Sequence, residues 1–416
     1  MKKTAIMLCL VMLLPLMAFA QEADQPGVSE QGIQLGSFIF TPSFELIYES
    51  KDNIFLRPSK DKDPLGIGEE SDSIYVARAR FMLEYPFADN YFRATWVPQW
   101  RDYADNELQE NFTHYLDLVG SFNTPSGLEL DIANHYVMGS LEVQEVDPGQ
   151  ELVYGDVPFT KNTTTFDMKY FFTPTDGFGL YADYTMFEYD DPTALWYDYT
   201  SYTAGLSYQR YMNPLLRMAL GFDFMSYDAD QNEFSLVPDK IRDYDGYNVY
   251  VKFYGDFSPT VNSSIKIGYE SLSFDKVAGY GNRDYDDFSV DADLTWEVTE
   301  GHSLTFDSQR KLYASNFADV SSFTHSHLGV RYNAQMGAKT FGALGMRLLN
   351  NDYNESSEIY GRTRSDDMLE FKAELGYHIN PTFSTRLNYT MQDRDSNINM
   401  FDYKVNIWAI NLVIGF

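Results

Sequence analysis

Residues 288–298 read Phe-Ser-Val-Asp-Ala-Asp-Leu-Thr-Trp-Glu-Val. Phe288, Val290, Ala292, Leu294, Trp296 and Val298 alternate with Ser289, Asp291, Asp293, Thr295 and Glu297. Successive side chains of a β-strand point to opposite faces, so this segment has one apolar wall and one charged wall. A helix would scatter the same residues around its axis. Period two therefore predicts a strand. Tyr247 to Tyr254 repeats the pattern, with Tyr247, Val249, Val251 and Phe253 on one face and Asn248, Tyr250, Lys252 and Tyr254 on the other. From Phe38 onward such segments follow one another, with no convincing helical period between them.

The connections alternate too. Phe87–Asn90, Asn123–Ser126, Pro174–Gly177, Met212–Pro214, Ser258–Thr260, Thr299–Gly301, Met336–Ala338 and Asn380–Thr382 are short and carry Gly, Pro, Asn or Asp, the residues of tight reversals. Between them lie longer, mostly acidic stretches: Ser50–Asp72, Asp102–Glu110, Gly139–Lys161, Asp190–Asp198, Tyr227–Asp243, Phe274–Asp284, Ala314–Ser322, Asn351–Ser365 and Arg394–Asp402. Short turns on one side and long loops on the other predict an all-β chain, a single transmembrane antiparallel β-barrel. The spacing gives about 18 strands, with about 16 the alternative count, and strands of roughly 10–14 residues suit a tilted membrane crossing. A β-sandwich would not have loops so lopsided.

Composition narrows the class further. The chain has 416 residues, 31 Lys and Arg against 61 Asp and Glu, and a formal net charge of −30. Phosphate binding is carried by Lys and Arg, so no nucleic-acid partner is expected. With 32 Tyr and 31 Phe the chain has apolar surface enough to fold despite its charge. A single cysteine excludes a disulfide framework and a Cys-based zinc site.

Met1–Ala20 has the form of a secretory signal peptide: Lys2 and Lys3, an apolar core, and Ala18-Phe19-Ala20 before Gln21. Cys9 lies in that core, so the mature chain is expected to have no cysteine. The expected organisation is residues 1–20 signal peptide, 21–37 a short periplasmic segment and 38–416 a barrel in the bacterial outer membrane. The last strand places Trp408, Ile410, Leu412, Ile414 and Phe416 on one face. This is similar to the terminal-aromatic signal read by the barrel-assembly machinery, an expected partner along with outer-membrane lipid and lipopolysaccharide. Tyr85, Phe87, Phe122, Phe172, Tyr211, Phe257, Tyr377 and Phe383 near the short turns, and Tyr48, Tyr189, Tyr199, Tyr227, Tyr244 and Tyr403 near the long loops, are expected to form two interfacial girdles.

The polar face of the strands should line the lumen. Arg78, Arg80, Arg93 and Arg101 fall there on the second and third strands; Asp291, Asp293 and Glu297 fall there far away in strand order. These are the candidate lumen-lining residues, and they imply a basic side facing an acidic side. The competing reading is a wall braced by neighbouring ion pairs. A barrel of this size is wide enough for an aqueous channel. Tyr181, Tyr250 and Tyr254 also point inward and would suit either sugar stacking or wall packing. His325 and His327 share a face but have no Cys and no nearby carboxylate on the same strand, and no Gly-x-Ser-x-Gly motif accompanies His135 and Asp131. Asp228, Asp230 and Asn232 begin like a calcium loop, but Glu233 occupies the position of its invariant glycine. No enzyme activity, metal or cofactor is expected.

Pro42-Ser43-Phe44, Tyr48, and Asp52-Asn53-Ile54-Phe55-Leu56 with Pro58 resemble the opening of the second putative beta-barrel porin family. Arg101-Asp-Tyr-Ala-Asp-Asn106 is similar to that family's element ending the third strand, and Thr173–Asp191 and Tyr211–Asp230 follow its repeated hairpin form. The resemblance implies an outer-membrane channel without catalytic residues, with export of an extracellular polysaccharide and periplasmic export components as the family's proposed role. Export of an extracellular polysaccharide is the leading expectation, with a general or substrate-specific diffusion porin for small polar solutes as the alternative. Such a porin often folds a loop inward as a constriction, and Gly139–Lys161 is the best candidate. A surface scaffold using the acidic loops is a third class.

Overall fold

The computed structural model describes residues 32–416, apart from 65, 107–110, 141–150, 152–157, 191–196, 231–240, 280, 316–319, 358 and 416. The strands in chain order are β1 (Ile33–Leu35), β2 (Phe38–Lys51), β3 (Asp72–Phe87), β4 (Asn90–Tyr103), β5 (Asn111–Asn123), β6 (Leu128–Ser140), β7 (Pro158–Phe171), β8 (Asp176–Tyr189), β9 (Tyr199–Tyr211) and β10 (Leu216–Ala229). They continue with β11 (Tyr244–Ser258), β12 (Val261–Phe274), β13 (Tyr285–Thr299), β14 (His302–Ala314), β15 (Ser322–Gln335), β16 (Thr340–Ser357), β17 (Arg362–His378), β18 (Phe383–Ser396) and β19 (Tyr403–Gly415). Each pairs antiparallel with its sequence neighbour, and β19 pairs with β2 from Gly415 opposite Ser43 to Ile407 opposite Lys51. The strands β2 to β19 thus form a closed 18-stranded barrel, and closure removes the unpaired edges an open sheet would expose. β1 folds back on the start of β2, Ile33 opposite Phe40. The signal-peptide reading of Met1–Ala20 lies outside the described residues.

Alternation decides which face meets lipid. Leu206, Leu220, Leu328 and Ile410 point outward and are all half exposed or more in the isolated chain. Trp408, Leu412 and Ile414 share that face with Ile410; Phe416 lies outside the described residues. Inside, two glycines make room for rings: a Cβ on Gly221 would lie 2.1 Å from the Tyr250 ring, and one on Gly376 2.0 Å from Phe341. The rings cover the glycine backbone of the neighbouring strand.

Two expectations are corrected. Asn351–Ser365 is not a long loop: β16 runs on to Ser357 and β17 starts at Arg362, with a register shift between Asp352 and Ser356. The outer girdle is also misassigned, because Tyr189, Tyr199, Tyr227, Tyr244 and Tyr403 point into the barrel. Phe159, Phe187, Tyr199, Tyr227, Tyr244 and Phe274, one from each of β7 to β12, form a continuous row with neighbouring ring centres 5.3, 5.3, 4.9, 5.5 and 5.2 Å apart. Tyr211, placed in the other girdle, likewise faces inward beneath Arg217. From β7 to β12 the lumen is therefore apolar toward the long loops and polar toward the short turns.

Candidate functional site: the lumen

In the polar half, paired side chains brace the wall. Arg78 donates to Gln99 at 2.9 and 2.7 Å and reaches Glu45 at 3.3 Å. Arg93 pairs with Glu84 at 2.8 Å, Lys266 with Asp223 at 2.7 Å and Arg347 with Asp307 at 2.9 Å. Arg217 on β10 makes a two-pronged bond to Glu129 on β6 at 2.6 and 2.9 Å, although β7, β8 and β9 lie between them around the wall. This pair spans the interior near the short turns, held by the Tyr211 ring 4.5 Å from the guanidinium. The fork geometry of arginine suits such a bridge; a lysine could not make both bonds.

The sequence-derived residues all lie on the inward face, and they divide as follows. Arg78, Arg80 and Glu45 face in from β2 and β3; Arg93 and the buried Arg101 from β4. Asp291, Asp293 and Glu297 face in from β13, which lies opposite β4 whichever way the ring is followed. The arginines Arg78 and Arg93 are neutralised by neighbouring acids. Asp183, Asp291 and Asp293 have no Lys, Arg or His within ion-pair distance among the described residues, and nearby Lys252 and Lys311 rest on the rings of Tyr254 and Tyr313 at 5.4 and 5.6 Å. These carboxylates are therefore unpaired by direct contact, with the two ammoniums as the nearby counter-charges. One consequence is testable at Arg93: Arg93→Ala should unmask Glu84 and raise cation over anion permeability about two- to threefold, read from reversal potentials in a salt gradient.

His325 and His327 form a hydrogen-bonded chain. His325 bonds Asn351 at 2.7 Å and His327 at 2.9 Å, and His327 reaches Asp307 at 3.1 Å. No grouping of His, Cys, Asp and Glu able to hold a metal ion occurs among the described residues. Tyr250 and Tyr254 are engaged too: Lys266 sits 4.0 Å from the Tyr250 ring, and the Tyr254 hydroxyl donates to Gln209 at 2.8 Å.

The mouth is filled by elements the sequence reading did not bring together. Ser315, just after β14, is fully buried; its carbonyl accepts from Tyr197 at 2.9 Å and from Arg242 at 2.7 Å. Its hydroxyl donates to Glu151, whose carbonyl accepts from Arg364 at 3.4 Å and Arg394 at 3.2 Å. Glu151 belongs to the Gly139–Lys161 connection, and at this residue that connection reaches the far wall. The rest of it, 141–150 and 152–157, lies outside the described residues. Leu56, in the connection between β2 and β3, packs inside as well. The sequence did carry a signal for the filled mouth, because the apolar parity switches within single strands.

A closed barrel with a charged interior and a narrowed mouth is the build of a channel, and the family comparison agrees. The model of the family described as "Putative beta-barrel porin 2" matches residues 197–416. The chain belongs to this family. It is an outer-membrane β-barrel of the porin type. No curated protein matches it. Among solved structures it is similar to the outer membrane protein OpdK of Pseudomonas aeruginosa, at 12% identity over 91% of this chain and 99% of that one, with a TM-score of 0.46. It is also similar to OccAB2 of Acinetobacter baumannii, at 12% identity over 92% and 99% of the two chains and a TM-score of 0.47.

Proposed function

We propose that this porin-family barrel is a diffusion channel for small polar solutes. The observation that carries the reading is the lumen itself. Its polar half is lined by charged side chains that keep contact with water: Arg93, Arg331 and Lys372 are 38%, 42% and 40% exposed although they point inward. Such groups are retained at the cost of wall stability only where the interior is wet. Leu56 and Glu151 reach into the long-loop end of the lumen, which suits small solutes.

Export of an extracellular polysaccharide, the role implied by the sequence resemblance, fits less well. A polymer would have to displace the whole buried network around Ser315. Of the inward tyrosines that would stack against sugar rings, Tyr250 carries Lys266 over its face and Tyr254 carries Lys252. The C-terminal face of Trp408, Ile410, Leu412 and Ile414 serves, on this reading, as the assembly signal.

The test uses purified protein in planar bilayers and in liposomes. Discrete conductance steps, and swelling with small sugars but not with large dextrins, are expected. A barrel that folds yet passes neither ions nor small sugars would overturn the proposal. Loss of secreted polysaccharide in a deletion strain, restored by the intact gene, would return export to first place.

A further inference from the structure

The connection between β2 and β3 opens Asp52-Asn53-Ile54-Phe55-Leu56-Arg57-Pro58, and its base is stitched to the last strand. The Asp52 carboxylate accepts from the backbone and side-chain N–H groups of Asn406, both at 2.7 Å. Asn53 is fully buried. Its amide donates to the carbonyls of Lys404 at 3.0 Å and Arg57 at 2.7 Å, and its carbonyl accepts from the Arg57 N–H at 3.0 Å. The side chain of Asn53 thus closes a tight turn and ties it to β19. Farther on, Lys62 donates to Asp402 at 2.6 Å, a second tie to the same corner.

Leu56 stands at the tip of this turn with φ of 48°. Non-glycine residues rarely adopt that left-handed conformation, and it persists where surroundings impose it. The surroundings here are two walls. Leu56 packs against the group of Val137, Phe159 and Phe187 on β6, β7 and β8. It also packs against the group of Leu349, Tyr403 and Val405 on β16 and β19. The shorter way round the ring between these groups passes β2, β3, β4 and β5. A side chain can touch both only from inside the barrel.

We propose that the Asn53–Pro58 turn is the constriction of the channel, with Leu56 the side chain that sets the size of solute admitted. The idea rests on the diffusion-channel reading. The two are separable, because a conducting barrel whose size limit ignores Leu56 sinks this proposal alone. An apolar tip at the narrowest point also resists wetting, which keeps ion flow low until a solute enters.

Leu56→Gly removes the side chain and relieves the backbone conformation at once. It should raise single-channel conductance at least about twofold and admit larger sugars in liposome swelling, while Leu56→Phe should lower both. Leu56→Cys gives a reading independent of those variants' folding quality. The only native cysteine is Cys9, so in a Cys9→Ser background a thiol reagent acts at position 56 alone. A charged methanethiosulfonate should block conductance stepwise in the Leu56→Cys channel and leave the unsubstituted channel unchanged. Native size limits in both the glycine and phenylalanine variants, with no effect of the reagent, would overturn the assignment.

Discussion

Arg364→Ala should open the mouth while leaving the barrel folded. Arg364 is 1% exposed, and its Nε and Nη2 donate to Asp366, itself 2% exposed, at 3.0 and 2.6 Å. Its guanidinium lies 3.8 Å from the Phe401 ring centre and 4.8 Å from that of Tyr353. One residue thereby joins the β16–β17 hairpin, the β18–β19 connection and Glu151. Alanine would leave the Asp366 carboxylate buried without its cation, and breaking a buried pair from one side costs roughly 3–5 kcal/mol. The β17 ladder is hydrogen-bonded to both neighbours along its length, so the barrel itself is not what gives way. If that cost falls on the packed mouth, the balance between filled and open moves by about a hundred- to several-thousandfold.

The expected result is a higher open fraction in single-channel records, with the size limit set at Leu56 unchanged. Heat-modifiable migration on gels should be retained, since it reports the closed barrel. Arg364→Lys should fall between the two, because an ammonium cannot make the forked bond to Asp366 or lie flat on Phe401. Native open fraction in a folded Arg364→Ala channel would mean that the buried cluster does not hold the mouth.

How much of this was legible beforehand depends on where along a strand one looks. In β8, Phe178, Leu180, Ala182, Tyr184 and Met186 keep strict alternation and face lipid, as period two requires. Then Phe187 and Tyr189 are apolar on the other parity and face inward. β12 does the same, from Ile265, Ile267 and Tyr269 to Leu272 and Phe274; so does β10, from Phe222 and Phe224 to Met225 and Tyr227. Alternation fixes which residues share a face. It does not say that the inward face turns apolar because loops cover it there. Reading the terminal tyrosines as an outer girdle assumed one parity for the whole strand. The switch was present in the sequence and marks the depth at which the lumen dries.

The loops were harder for another reason. Turn chemistry is local, so short reversals such as Asn380–Thr382 were readable. Whether a long loop lies out in solvent or folds into the barrel depends on contacts with strands hundreds of residues away. Asn53 meeting Lys404 is the plainest case. The resembled motifs turn out to be loop anchors: Asp52 and Asn53 tie the first connection to β19, and Asn106 donates to Asp72 at 3.0 Å at the head of β3. They specify how the chain leaves the wall, which is why they marked the fold without naming a solute. The arginines and carboxylates, by contrast, could be set on the correct face by parity. Their pairing could not, because Arg217 meets Glu129 across the interior and not along a strand.

That pairing decides the electrical character of the lumen. Asp291→Lys together with Asp293→Lys should invert its ion preference. The native carboxylates stand on the inward face of β13 with no ion pair among the described residues, whereas Arg78 and Arg93 on the facing strands β3 and β4 are offset by Glu45 and Glu84. The native channel should therefore favour cations. A charge about 7 Å from a passing ion contributes roughly 0.6 kcal/mol in water, so reversing one changes the interaction by about 1.2 and reversing two by about 2.4 kcal/mol. At low salt this is a change of about fiftyfold for a monovalent ion; near 1 M salt, with a screening length of about 3 Å, most of it disappears. Reversal potentials across a tenfold potassium chloride gradient should thus change sign in the double variant at low salt and converge with native values as salt rises. Asp291→Asn with Asp293→Asn should move half as far. If the neutral pair of substitutions leaves the reversal potential where it was, the permeant ions do not pass β13, and the conducting path lies along the arginine side of the barrel instead.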